Sequence, residues 1–211
     1  MTLSIEEEAR SQGRRLLAGV DEAGRGPLAG PVVAAAVILP EGMVIDGLTD
    51  SKALTAAQRL RLFDVVHEKA LAVGVGVADS QTVDRVNILQ ATLLAMRDAT
   101  EKLAMRPDML LIDGRDTIQW PGPQKAIVKG DSLCLCISAA SVVAKVTRDA
   151  MMEKMAREYP QYGFEKHKGY GSREHREAIR KHGPCPQHRR TFRGVKEYLP
   201  QPEEPRIGLF S

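Results

Sequence analysis

A chain of 211 residues that is 43% hydrophobic can bury one sizeable core but is too short for several full domains. No run approaches the roughly 20 apolar residues of a bilayer crossing, and the acidic start MTLSIEEEAR lacks an apolar leader, so a cytoplasmic protein without a membrane is expected. The net charge of +3 is unevenly spread: Lys145 to Lys196 holds 14 Lys and Arg against 6 Asp and Glu, a surplus of +8 that leaves −5 elsewhere. Aromatic residues Tyr159, Tyr162, Phe164, Tyr170 and Phe192 are interleaved with that charge, a mixture suited to a polyanion carrying sugars and bases, although a solvated basic helix face fits the charge alone.

After an N-terminal segment (1–15), the apolar run Leu16 to Val20 reads as a strand that enters Asp21 and Glu22, then Gly24, Gly26 and Gly30. G-x-G-x-x-x-G after a strand admits two readings, a phosphate-cradling loop or a carboxylate site framed by glycine. Pro31 to Pro40 decides against the first, since its β-branched residues predict a strand where a dinucleotide fold needs a helix. Thr55 to Ala70 reads as a helix with Leu60, Phe63, Val66 and Ala70 on one face and a Thr55/Gln58 capping box. Val73 to Val77 reads as a third strand, Asn87 to Met105 as a long helix, Met109 to Asp113 as a buried strand and Lys125 to Val128 as a short one. A second long helix is expected from near Ser132 towards Glu158, stopped by Tyr159-Pro160, and a basic helix from Ser172 to His182. The expected organisation is a catalytic core over 16–158, a basic helical extension over 159–199 that completes a substrate cleft, and a flexible tail over 200–211.

Three apolar strands thus run into acid: Val20 into Asp21-Glu22, Ile112 into Asp113, and Val128 through Lys129-Gly130 into Asp131. Any one of these could be a turn former; three together on the rim where α/β sheets bind ligands point to a site. Two carboxylates about 4 Å apart repel by roughly 4 kcal/mol at an effective dielectric of 20, so such a cluster calls for cations. Oxygen-only ligation selects the hard ions Mg²⁺ or Mn²⁺, and two such ions suit phosphodiester hydrolysis. An acidic metal rim beside a basic arm reads as a nuclease.

The stretches GVDEAGRGPLAG, DSKAL, LLIDG, KGD, SAASVVAKVTRD, YPQYGFEKHKGYGS and PCPQHRRTF resemble the type 2 ribonucleases H, and among them bacterial ribonuclease HII, from about Leu16 to Tyr198. The resemblance implies an α/β ribonuclease H-like fold, a mixed five-stranded sheet flanked by helices with a helical C-terminal extension. It implies Asp21, Glu22, Asp113 and Asp131 as the catalytic and metal-binding carboxylates, with Mg²⁺ or Mn²⁺ as cofactor. It also implies that Gly24, Arg25 and Gly26 contact a ribose 2′-hydroxyl through backbone groups, that Tyr170 packs on the following deoxyribose, and that Lys52 and Lys145 lie near substrate phosphates.

The implied activity is endonucleolytic cleavage of RNA in RNA/DNA hybrids and 5′ of single ribonucleotides in duplex DNA, leaving 3′-hydroxyl and 5′-phosphate ends, in ribonucleotide excision and primer removal. The alternatives are a type 3-like hybrid-specific ribonuclease H, disfavoured because the core starts near Leu16 and leaves no room for that family's N-terminal domain, and a catalytically dead hybrid-binding protein. Ser172 stands where the family usually has threonine and keeps the hydroxyl. Cys134, Cys136 and Cys185 form no even set and are expected to be reduced. His182-x-x-Cys185-x-x-His188 has an unusual spacing for zinc, and histidines of a core or cleft lining are the better expectation. The tail Pro205 to Phe210 could dock a replication clamp, but a plain chain end with a stray apolar pair is preferred. A monomer is the default expectation.

Overall fold

The computed structural model of this chain describes residues 4–48 and 54–200. Five strands, β1 (Leu17–Ala23), β2 (Val32–Ile38), β3 (Ala72–Ala78), β4 (Met109–Asp113) and β5 (Gln124–Ile127), form one mixed sheet in the order β3-β2-β1-β4-β5. The first three run antiparallel, whereas β4 and β5 lie parallel to β1. The carboxyl ends of β1, β4 and β5 therefore share one edge, which is the convergence that the acidic strand ends require.

The sheet is covered on both faces, and β2 is accordingly apolar at every position. Val32, Ala34, Ala36 and Ile38 pack towards α3 (Ser80–Glu101), while Ala35 and Val37 pack towards α2 (Ala56–Lys69) and α4 (Leu135–Glu158). Alternate residues of a strand face opposite sides, so one continuous run serves two cores. Each fully buried Val, Leu or Ile contributes about 1.5–3 kcal/mol through removal from water. The central helix α4 lies unusually close to β1: a Cβ on Gly19 would overlap the backbone of Cys136 and Ile137. That contact seats α4 directly behind the acidic end of β1.

The N-terminal helix α1 (Ile5–Ser11) buries Ala9 in a small cluster with Leu17, Leu111, Ile127 and Ile137. Its Glu6 carboxylate accepts from the amides of Leu135 and Cys136 at 3.3 and 3.1 Å, capping α4, whose N-cap residue Cys134 supplies no side-chain bond. At the other end, α5 (Phe164–His167) and α6 (Arg173–His182) enclose a second core of Phe164, Tyr162, Ile179, Cys185 and Val195. This core includes Leu28 and Ala29 from the glycine loop and Met152 from α4, so the extension is packed onto the acidic edge.

Several sequence expectations shift. Helix α3 starts at Ser80, capped by Asp79, and Asn87 is a non-helical residue (φ 69°) inside it rather than its start. Helix α4 begins at Leu135, because a 3₁₀ turn (Gly130–Ser132) intervenes. The capping box of α2 is formed, but its buried face carries Leu62 and Val66 while Leu60 is 55% exposed. Strand β5 ends at Ile127, leaving Val128 exposed. Of the interleaved aromatics, Tyr162 and Phe164 are buried and Tyr159 and Phe192 half-buried in the second core, which leaves Tyr170 as the exposed one. Among the described residues, no helix is long and apolar enough to cross a membrane.

Two fully enclosed histidines in the second core make it acid-sensitive. Burial pushes the pKa of both His175 and His188 down to about 4, well below the 6.5 of an unfolded chain. Protonation therefore favours the unfolded state, and the stability of this core is complete above pH 6.5 and lost as pH falls towards 4. We expect the urea midpoint to drop across that window, with a loss on the order of 3 kcal/mol for each histidine, while the ring signals of these two histidines stay those of neutral imidazole at pH 5.5. Normal titration of either ring near pH 6.5 would contradict this.

Candidate active site

Strand β1 is paired to β2 as far as Ala23↔Val33 but to β4 only as far as Val20↔Ile112. Asp21 and Glu22 are consequently inside the strand, not beyond its end as the sequence suggested, and hold rigid backbone on one side while the other side opens at the sheet edge. Asp21 is 5% exposed. Its Oδ1 accepts the Glu22 amide at 2.7 Å, and its carboxylate is hydrogen-bonded to the hydroxyl of Ser141 on α4. Asp113, the last residue of β4, accepts the Gly130 amide at 2.7 Å. That bond fastens the 3₁₀ turn bearing Asp131, which is 4% exposed, to the end of β4. Gly130 permits the approach, since a Cβ there would stand 2.6 Å from Ile137 and 3.4 Å from Asp113 Oδ1.

The carboxylates resist sharing this space. Burial, reinforced by the neighbouring Glu22 and Asp113, holds the Asp21 carboxyl well above the usual carboxylate range, against the opposing bonds from Ser141 and the Glu22 amide. Glu22 is also raised by burial, with Asp113 adding to it and the Arg25 guanidinium, 3.4 Å from Oε1, acting the other way. The donors are all carboxylate oxygens with excess negative charge, which suits a hard divalent cation. Among the described residues no three such groups gather tightly enough to enclose an ion on their own. A cation here would complete its shell with water and oxygens of a bound ligand.

Beside the carboxylates lies a cleft of about 410 Å³ lined by Glu22, Gly24, Arg25, Gly26, Arg59, Lys145 and Tyr170. The structure thus brings Glu22, the Gly24-Arg25-Gly26 turn, Lys145 and Tyr170 together on one cavity, with Asp21 and Asp113 within electrostatic reach of Glu22. Lys145 is less free than expected, its ammonium lying 2.7 Å from Asp149. Lys52 and residues 201–211, which include the tail peptide weighed above for clamp docking, lie outside the described residues. The zinc spacing dissolves: Cys185 and His188 are buried partners, Sγ to Nδ1 3.1 Å, whereas His182 is exposed rather than in a core or cleft lining. All three cysteines are free thiols.

Sequence reasoning missed Ser141, Arg59, Arg148 and Arg189. Ser141, Lys145 and Arg148 recur at i, i+4 and i+7 in a largely apolar stretch of α4, the signature of one polar stripe aimed at a site. Arg148 and Arg189 are 1% and 0% exposed, so part of the C-terminal positive surplus lies in the interior rather than facing a polyanion.

An α/β sheet of this order with carboxylates crowded on the shared edge of β1 and β4 defines a ribonuclease H-like nuclease. The ribonuclease HII family profile matches residues 18–195. Ribonuclease HII of Geobacter sp. (strain M21) is 58% identical over 214 residues, covering 99% of this chain and 93% of that protein. Among solved structures, ribonuclease H2 from Pyrococcus horikoshii OT3 is 28% identical with a TM-score of 0.73, over 86% of this chain and 96% of that one. Two others share the fold at lower identity: an Archaeoglobus fulgidus RNase HII solved in a complex with PCNA (22%, TM-score 0.71, 89% of this chain and 97% of that one) and Bst-RNase HIII in complex with Mn²⁺ (21%, TM-score 0.69, 90% and 71%). The chain belongs to the ribonuclease HII family and is an endonuclease of the ribonuclease H type.

Crowding of like charge has a measurable cost. Asp21→Asn keeps the shape and removes the charge that burial and Glu22 disfavour. In metal-free buffer at pH 7 we expect this variant to be more stable than the parent by on the order of 1 kcal/mol. A lower melting temperature would show that the Asp21 carboxylate is a net stabilising group.

Proposed function

We propose that this chain is a metal-dependent ribonuclease HII that cuts the RNA strand of RNA/DNA hybrids and also cuts 5′ of a single ribonucleotide in duplex DNA, leaving 3′-hydroxyl and 5′-phosphate ends. The observation that carries the reading is the joining of a strained carboxylate group to a cleft walled by a glycine turn on one side and an exposed tyrosine on the other. A role in ribonucleotide excision and primer removal follows from that activity.

In this reading Asp21, Glu22, Asp113 and Asp131 would hold Mg²⁺ or Mn²⁺; the Mn²⁺ complex of Bst-RNase HIII supports such an ion in this fold. When bound, the cations supply activation of a water and neutralisation of charge on the leaving oxygen. The chain's own groups do the positioning. Ser141 orients Asp21, and the Gly130 amide orients Asp113. The turn at Gly26 leaves room for close approach of a ribose, because only the Tyr170 ring, at 3.6 Å, would meet a Cβ there. Tyr170, 48% exposed, presents a face on which the next sugar can pack, and Arg59 and Lys145 line the path of the phosphates. In this reading a 2′-hydroxyl is received between turn and ring, and added bulk on that oxygen is refused.

The experiment is cleavage of matched duplexes that carry one ribonucleotide, its 2′-O-methyl analogue, or deoxyribose alone. The first should be cut once, 5′ of the ribonucleotide, and the other two should resist. Asp131→Asn should remove cleavage while hybrid binding survives or tightens, since it deletes negative charge near phosphate. Tyr170→Ala should lose roughly 5- to 150-fold on the lone ribonucleotide, the range of one lost stacking contact, and less on a continuous RNA strand. Substantial Mg²⁺-supported activity of Asp131→Asn, or equal cutting of the ribo and 2′-O-methyl sites, would defeat the proposal.

A further inference from the structure

Arg189 is a fully buried cation that faces carbonyls rather than carboxylates. Its guanidinium donates to the carbonyl oxygens of Gly24 (2.6 Å), Arg25 and Pro27 (2.8 Å each) and Gly30 (3.1 and 2.9 Å). Five bonds from one side chain thus hold a single loop. Arg148 braces the same loop from α4, donating to the carbonyls of Ala29 and Pro31 at 3.2 and 3.0 Å.

The orientation of these carbonyls has a geometric consequence. Every peptide bond described is trans, and in a trans peptide the carbonyl of one residue points opposite to the amide of the next. With the Gly24 and Arg25 carbonyls drawn down onto Arg189, the amides of Arg25 and Gly26 point away from it. Arg25 and Gly26 are the exposed, cleft-lining residues of the loop, while Gly24 and Pro27 to Gly30 are buried. Two N–H donors are therefore aimed into the cleft by a cation beneath them.

The neighbouring residue fixes the opposite wall. The Cys185 amide can only donate, so His188 Nδ1, 3.0 Å away, accepts, and His188 carries its proton on Nε2. The Tyr170 carbonyl can only accept, so His175 Nδ1, 2.9 Å away, donates, and its Nε2 is the acceptor. The two Nε2 atoms are 3.0 Å apart, so both ends of the chain demand the same direction, His188 to His175 to Tyr170. His188 also bridges to Ala29 of the loop.

We infer that His188 and Arg189 together are the positioning element for ribose discrimination: Arg189 aims the Arg25 and Gly26 amides, and His188, through His175, sets Tyr170 at a fixed distance from them. The inference rests on the reading above, in which this turn and Tyr170 recognise the ribose. Neither residue touches the substrate in this scheme. A merely structural role would lower activity on every substrate alike, whereas a positioning role lowers it most where one sugar carries all the information.

The test compares kcat/KM on a lone-ribonucleotide duplex and on a continuous RNA/DNA hybrid for the full chain and two variants. Arg189→Lys keeps the charge but has three donors for four carbonyls, and His175→Leu removes the bond to Tyr170. Each should lose about tenfold more on the lone ribonucleotide than on the hybrid, with Gly26 amide exchange accelerated in Arg189→Lys. Equal proportional losses on the two substrates would overturn the inference, even with the parent enzyme discriminating normally. Should a variant fail to fold, the parent decides: in metal-free buffer the Arg25 and Gly26 amide resonances should shift on binding the lone-ribonucleotide duplex and not its 2′-O-methyl analogue. Unmoved amides overturn the positioning role, while a parent that cuts both duplexes equally overturns the underlying reading instead.

Discussion

The burial of Asp21 is the constraint around which the molecule is arranged. A carboxylate almost without solvent, beside Glu22 and close to Asp113, is unfavourable wherever the backbone can move it away. Here the backbone cannot move. β1 is the middle strand of five, paired on both sides up to Val20, and α4 is pressed so closely against Gly19 that no side chain fits between. The same helix supplies Ser141 to Asp21, and Glu6 of α1 caps its start. Core packing thus supplies the free energy that keeps like charges together, as expected where function and stability are in conflict.

The glycines framing Asp21 belong to the same arrangement. Gly24 has φ 98°, which few side chains tolerate, and its Cβ would overlap the Arg148 side chain. The loop can turn sharply here because buried guanidinium groups donate to its crowded carbonyls. Desolvation by the surrounding core lowers the Arg189 pKa to about 9, yet the group stays charged at neutral pH, and its charge is spread over carbonyl dipoles in place of a counter-ion. The interior behind the acidic edge is therefore positive. Its positive charge is satisfied by the loop's own carbonyls and forms no ion pair with Asp21 or Asp113.

How much of this was legible depended on how far each partner lay along the chain. The β2 run, the Thr55 capping box and the acid after each apolar run are local patterns, and they placed the sheet and three of the site's segments. The buried arginines were invisible because composition counts an Arg as surface charge; only the docking of residues 185–192 on residues 24–30, about 160 positions apart, buries Arg189. For the same reason the aromatics of the extension looked like a binding surface when Tyr162 and Phe164 are its core. The spacing from His182 to His188 favoured histidines of a core or cleft lining over zinc, but it did not show that His188 has its partner in His175, a residue that no spacing rule connects to it.

The site is consequently a long-range construction. Residues 21–30 supply two carboxylates and the turn, residues 113–131 supply the other two, and residues 141–192 supply Ser141, the brace of Arg148, Tyr170 and the support beneath the loop. Local helices and the β1–β2–β3 meander can form from near neighbours, but the cleft exists only after the last of these segments has docked. The second core, with its two neutral histidines, holds that last segment in place. Loosening it would open the recognition walls before it disturbed the sheet, because β1 and β4 are held by their own ladders and by α3 and α4. On the proposed reading, discrimination between sugars is therefore the most fragile property of the molecule, and the carboxylate edge the most durable.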